Sequence, residues 1–213
     1  FAWFGDGCFD LRQEAGWGRE PFVFFLPAGI RPVKGNLECL RGLESVYAVR
    51  PHVRAVFAGP PLDAEYATRF EAEARRLSGF VRWIPIIPPG AMQSAYKTAD
   101  VVLNGSFSEG LSNSVLEAIA AERPVLASDI AGNRWPLTGA GGSHPCGLFF
   151  DPSNPEDFAQ KALRLVDDGK LREDLSRAAA ARASSWPPPE EEADGLLRAY
   201  VTAIERKRKI QTL

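Results

Sequence analysis

The chain has 213 residues, 45% of them hydrophobic, enough to bury the core of one domain of ordinary composition. Its 27 acidic and 25 basic residues leave a net charge of −2, so it lacks the sequence-wide positive field that binds nucleic acid, and any phosphate must be met locally. No apolar run reaches the roughly 20 residues needed to cross a bilayer, the opening FAWFGDGCFD is acidic where a secretory leader is basic, and Cys8, Cys39 and Cys146 form neither a disulfide framework nor a CxxC zinc pattern; the expectation is a soluble, cytoplasmic chain without a transmembrane segment.

Residues 1–20 mix aromatics, glycines and charges without a period and start without methionine, which reads as a linker or the remnant of an upstream region. From Phe22 an alternation begins. Phe22 to Leu26 is a short apolar run, and Leu37 to Val49 carries apolar residues at helical spacing. The pattern returns as a strand Val53 to Ala58, a helix Ala64 to Leu77, a strand Val81 to Ile84 and a helix Met92 to Ala99. It continues as a strand Val101 to Leu103, a polar loop, a helix Ser114 to Ala121, a strand Pro124 to Ala127 and a final strand Gly147 to Phe150. Strands alternating with helices at this spacing predict an α/β fold, a doubly wound parallel sheet covered on both faces. After Asp151 only helices are expected: Pro155 to Asp167 behind an Asn154 cap, Lys170 to Ser184, and, past three prolines, a charged helix from Glu190 to about Arg208. The domain is placed at residues 21–184 and a helical tail at 185–213, with Arg206-Lys207-Arg208-Lys209 read as a solvated helix end.

The densest chemical signal directly follows the strand Val101 to Leu103: Glu109-Gly110-Leu111-Ser112-Asn113-Ser114, then Glu117. Loops beyond the carboxyl ends of strands form the ligand crevice of an open α/β sheet. Ser112, Asn113 or Ser114 caps the next helix, whose free amides and positive dipole end attract an anion such as a diphosphate. Two acids eight positions apart, one in the loop and one a turn inside the helix, suit a ligand with sugar hydroxyls on either side of a pyrophosphate, the shape of a nucleotide sugar. Spacing alone leaves open a solvated loop acid and a helix-start acid that merely complements its dipole. The second element, Gly29-Ile30-Arg31-Pro32-Val33-Lys34-Gly35, follows the first strand of the domain. It offers close backbone approach at its glycines and two positive groups for a departing diphosphate, or else a turn with two solvated bases. It lacks the order of a P-loop, since Lys34 precedes Gly35.

Through PAGIRPVKG, AYKTADVVLNGSFSEGLSNSVLEAIA, RPVLASDIAGN and GLFF, the segment from about Phe22 to Ala183 resembles the donor-binding, C-terminal domain of GT-B retaining glycosyltransferases of family 4, the glycosyl transferases group 1 domain. Within that group it is most similar to the glycosyltransferase 1 domain-containing proteins. The resemblance implies a Rossmann-like C-terminal half of a GT-B fold. Glu109 and Glu117 match the family's E-x7-E motif, implying that the first acid contacts the donor sugar and the second the ribose. Arg31 and Lys34 resemble the basic pair that holds the diphosphate, and Ile84 to Ile87 fall where the family lines its base pocket. Two residues separate Arg31 from Lys34 where the family commonly has four, Ser112 and Ser114 replace a frequent glycine and proline, and Gly132-Asn133-Arg134-Trp135 replaces a Gly-Gly-x-Pro-Glu run. The family's N-terminal acceptor half has no counterpart here, so a missing domain, a partner chain or self-association through an exposed interdomain face is expected.

Other features carry less. His52 and His144 have no ligand partners at metal spacing, and neither a metal nor a cofactor is expected beyond the donor substrate. Ser106, Ser108 and Ser112 surround Glu109 without a GxSxG elbow, Trp83, Trp135 and Trp186 read as core or lid residues, and Gly139, Gly141 and Gly142 lack the setting of a dinucleotide fingerprint. Residues and resemblance together imply a nucleotide-sugar-binding glycosyltransferase domain with Glu109, Arg31 and Lys34 at the reacting centre and Gly29, Ile84, Gly110, Leu111, Ser112, Asn113, Ser114 and Glu117 around the donor. The alternative is a non-catalytic nucleotide-sugar-binding or protein-interaction module.

Overall fold

The structure, a computed structural model, describes residues 7–139 and 145–211. Six strands, β1 (Phe22–Pro27), β2 (Val53–Ala58), β3 (Val81–Ile84), β4 (Val101–Asn104), β5 (Val125–Ser128) and β6 (Gly147–Phe150), form one parallel sheet in the order β3-β2-β1-β4-β5-β6. The chain thus winds outward in one direction from β1 and in the other from β4, and the reversal opens a crevice beyond their carboxyl ends.

A parallel sheet covered on both faces needs apolar side chains on both sides of each strand, and β1 supplies them. Phe22, Phe24 and Leu26 enter one core with α2 (Asn36–Val49), α3 (Ala64–Arg76) and α7 (Pro155–Asp167). Val23 and Phe25 enter the other with α4 (Met92–Thr98), α5 (Asn113–Ala120), α6 (Ala131–Thr138) and Ala179 of α8 (Gly169–Ser184). Phe24, Phe25, Phe57 and Phe70 are fully buried, each contributing about 1.5–3 kcal/mol by removal from water.

Two segments depart from the sequence reading. Within the expected linker, Asp10 caps a short helix α1 (Leu11–Glu14), whose Leu11 is fully buried against the second core. Arg12 pairs with Asp100 at 2.5 Å, and Asp100 also accepts from the Val23 amide at 2.7 Å, so this segment is fastened to the start of the sheet. Helix α6 occupies a stretch to which the sequence pattern assigns no element; Gly132 and Pro136 lower its helical propensity, and packing of Leu137 overrides them. The last helix, α9 (Pro189–Gln211), leaves Leu196, Leu197, Tyr200, Val201 and Ile204 exposed. Among the described residues, no helix is long and apolar enough to cross a membrane. His144, Gly141 and Gly142 lie outside the described residues.

Candidate functional site at the carboxyl ends of β1 and β4

Two loops meet at the crevice because glycines let them. After β1, Arg31 is extended and Pro32–Lys34 forms a 3₁₀ turn that ends at Gly35 with φ +61°, a conformation that costs little only without a Cβ. A Cβ on Gly35 would lie 2.2 Å from the carbonyl oxygen of Gly105, so the turn after β1 sits directly on the loop after β4. The Phe107 amide donates to the Val33 carbonyl at 2.9 Å across the same junction.

That junction delivers Lys34 to Glu109. The Lys34 ammonium donates to Glu109 Oε1, and the Ser106 hydroxyl donates to the same oxygen at 2.7 Å. Both charged side chains are mostly shielded from solvent. Glu109 Oε2 accepts no hydrogen bond among the described residues. Arg31 remains apart: its side chain is exposed and forms no ion pair among the described residues.

Beneath the loop lies a buried polar network. Asn104 closes β4 and donates through Nδ2 to Ser112 Oγ at 2.8 Å and Ser114 Oγ at 3.2 Å. Its Oδ1 accepts from the Ser106 amide at 3.2 Å and from Asn133 Nδ2 at 3.0 Å. Ser128 ties β5 into the same group by donating to the Ser106 carbonyl at 2.5 Å. The expected serine cap is therefore corrected. Ser112 occupies the N-cap position of α5, yet its side chain and that of Ser114 turn inward to satisfy Asn104. The amides of Asn113, Ser114 and Val115 consequently carry no hydrogen bond among the described residues. Gly110, Leu111 and Asn113 are exposed around them, so the positive end of α5 faces solvent with donors unspent.

Helix α6 supports this loop from behind. A Cβ on Gly132 would lie 2.5 Å from the carbonyl oxygen of Glu109. Pro136 has no N–H for the Gly132 carbonyl four residues earlier, and that carbonyl instead accepts from the Ser112 amide at 3.4 Å.

Beside the helix start is an open cleft of about 480 Å³, walled by Ala28 and Gly29 after β1, Gly59 and Pro60 after β2, Pro85, Ile86 and Ile87 after β3, and by Tyr96 and Glu117. Ile84 itself ends β3 and packs on the second core, so the wall comes from the three residues behind it. Tyr96 donates to Glu117 Oε2 at 2.5 Å. Burial pushes the Glu117 carboxyl above its usual range, while the tyrosine hydrogen bond opposes that shift.

Among the described residues, no three His, Cys, Asp or Glu side chains gather as a metal-binding group. The structure thus gathers Lys34, Ser106 and Glu109 at one point and Gly29, Ile87, Tyr96 and Glu117 at another, with the amide end of α5 belonging to the segment that joins them. Asn104, Ser106 as a partner of Glu109, Tyr96, Gly132 and Asn133 escaped the sequence reading. A polar residue closing the apolar run Val101-Val102-Leu103 is the one signal that pointed to any of them.

Residues 9–182 match the family model described as glycosyl transferases group 1. The chain belongs to this family. A glycosyltransferase 1 domain-containing protein 1 of Xenopus tropicalis is 31% identical to it over 150 residues, which cover 70% of this chain and 41% of that protein. A D-inositol 3-phosphate glycosyltransferase of Paenarthrobacter aurescens is 36% identical over 102 residues, 48% of this chain and 24% of that enzyme. Among solved structures, Anabaena HepE in complex with UDP and glucose superposes with a TM-score of 0.77 at 20% identity, over 90% of this chain and 51% of that one. Sucrose-phosphate synthase from Thermosynechococcus elongatus gives 0.74 at 18%, over 92% and 48%. This group 1 domain spans about half the length of these relatives or less, and its fold is the Rossmann-like half of the GT-B glycosyltransferase architecture.

Proposed function

We propose that this domain is the donor-binding half of a family 4 retaining glycosyltransferase and holds a nucleotide-diphosphate sugar across the amide end of α5. The observation that carries the reading is a helix start with unspent donors, flanked by Glu109 with its lysine on one side and by Glu117 in an open cleft on the other. In this reading the nucleoside lies in the cleft, its ribose hydroxyls donating to Glu117 and its base against Pro85 to Ile87. The diphosphate rests on the amides of Asn113 to Val115, and the sugar reaches Glu109. The relatives named above support the substrate class: one solved neighbour is bound to UDP and glucose.

Transfer breaks the bond between the anomeric carbon and the phosphate oxygen, leaving the electron pair on the nucleoside diphosphate. Lys34 and the α5 amides stabilise the charge that develops there, which lowers the barrier to the extent that they bind the separated charge better than the intact donor. Lys34 exchanges its hold on Glu109 for the phosphate as the donor enters, and Arg31, exposed at the rim, adds a second positive group by rotation of its side chain. The acceptor site belongs to the half that this chain does not span.

Isothermal titration with UDP, GDP, ADP and their sugars tests the reading. Binding is expected for at least one of them, with a large loss in Glu117→Ala; no heat from any member, or unchanged affinity in the variant, overturns it. A module that binds without turnover is the second reading, favoured by the exposed apolar residues of α9 and by the exposed Arg31, which stands outside the Lys34–Glu109 ion pair. Glycosyl transfer or slow donor hydrolysis by the purified chain excludes it.

A further inference from the structure

Tyr96 sits in α4, fully buried, with its ring edge-on to Phe25 of β1 at a centroid distance of 5.4 Å and an interplanar angle of 77°. Tyr96 lines the same cleft as Glu117, and its hydroxyl donates to Glu117 Oε2 at 2.5 Å. Glu117 Oε1 accepts no hydrogen bond among the described residues. A glutamate side chain has three rotatable bonds, and a half-buried carboxylate left to itself swings toward water. An aromatic ring locked in a core has no such freedom, so its hydroxyl is a fixed point from which the carboxylate hangs.

We infer that Tyr96 is a positioning residue for nucleoside recognition: its buried hydroxyl holds one Glu117 oxygen so that the other stands ready for a ribose hydroxyl. This rests on the donor-site reading of Glu117 above. Electrostatics agree with it. Burial works against ionisation of Glu117, and the Tyr96 hydrogen bond works for it. Burial also pushes the Tyr96 phenol well up, which keeps it a donor.

The test is a titration of the purified chain with UDP, GDP and ADP, followed by the 2′-deoxy and 3′-deoxy forms of whichever binds best. Tyr96→Phe keeps the ring and removes the hydroxyl. Its affinity for the ribonucleotide is expected to fall about tenfold, in line with a hydrogen bond to a charged group. The deoxynucleotide that the wild-type chain binds less well should lose nothing further, because it lacks the hydroxyl that Glu117 accepts from. The acid limb of ribonucleotide binding should also move to higher pH. Equal losses for ribo and deoxy forms with an unmoved acid limb, or no loss at all, overturn the inference while leaving the site reading intact. If none of the three nucleotides binds the wild-type chain, the site reading falls and the inference with it. A measurement without substitution at Tyr96 guards against a folding defect: the labelled Tyr96 Cζ NMR signal should shift on nucleotide binding in the wild-type chain and stay put in Glu117→Gln. A signal that never moves in the wild type overturns the inference as well.

Discussion

At the scale of single residues, Glu117 trades stability for recognition. Its folded carboxyl holds a proton more tightly than the ordinary value near 4.5, because burial disfavours the charge. The folded state therefore loses stability relative to the unfolded chain as pH rises from that ordinary value through the raised one, and the loss persists at neutral pH. Glu117→Gln, which keeps an oxygen for Tyr96, is expected to raise the thermal midpoint at pH 7 and to show no such gain once the pH falls below the ordinary carboxylate value. The same variant should bind nucleotide more weakly, so thermal melts and titrations of one sample must move in opposite directions. Gly35 is a second residue with a single tolerable identity. An alanine there combines a left-handed backbone with a Cβ 2.2 Å from the Gly105 carbonyl oxygen. Gly35→Ala should cost about 2 kcal/mol or more in denaturant unfolding and should open the junction that brings Lys34 to Glu109.

At the scale of elements, the α5 start depends on polar groups from three other segments. Asn133 Nδ2 reaches Asn104 Oδ1, the Ser128 carbonyl and the Ser128 hydroxyl, all between 3.0 and 3.1 Å and all buried. Asn133→Leu takes one donor from each of three buried acceptors, two of which keep an amide partner, Ser106 for Asn104 Oδ1 and Ile130 for the Ser128 carbonyl, so the expected loss is about 1 kcal/mol read from urea unfolding. Gly132→Ala strikes the Glu109 backbone instead. Its effect should fall on the sugar end, weakening a nucleotide sugar more than the bare nucleotide in paired titrations; equal weakening would show that Glu109 does not face the sugar.

These elements also mark where sequence reading works. Strands β2, β3 and β6 and helix α7 have the bounds expected from periodicity, because long apolar alternation and an asparagine cap are local signals. The acids Glu109 and Glu117 were legible for the same reason, lying within one strand-loop-helix segment. Helix α1 has four residues, too few to show a period, and α6 contains a glycine and a proline whose use is tertiary. Tyr96 and Lys34 find their partners 21 and 75 positions away, a separation no local pattern encodes.

At the scale of the molecule, α9 stands apart from the two cores. Its large apolar residues are exposed, whereas Trp186 just before it packs on the second core. Deleting residues 187–213 is expected to leave the thermal midpoint nearly unchanged while reducing binding of a hydrophobic dye, and a steep fall in the midpoint would show that the helix holds the domain together. The sheet itself divides the molecule in two, and the candidate site straddles the division. Lys34 hangs from the turn leading into α2, rooted in one core, and Glu117 from α5, rooted in the other. A molecule gripping both at once would act as a rivet through the seam, raising the temperature at which the domain comes apart.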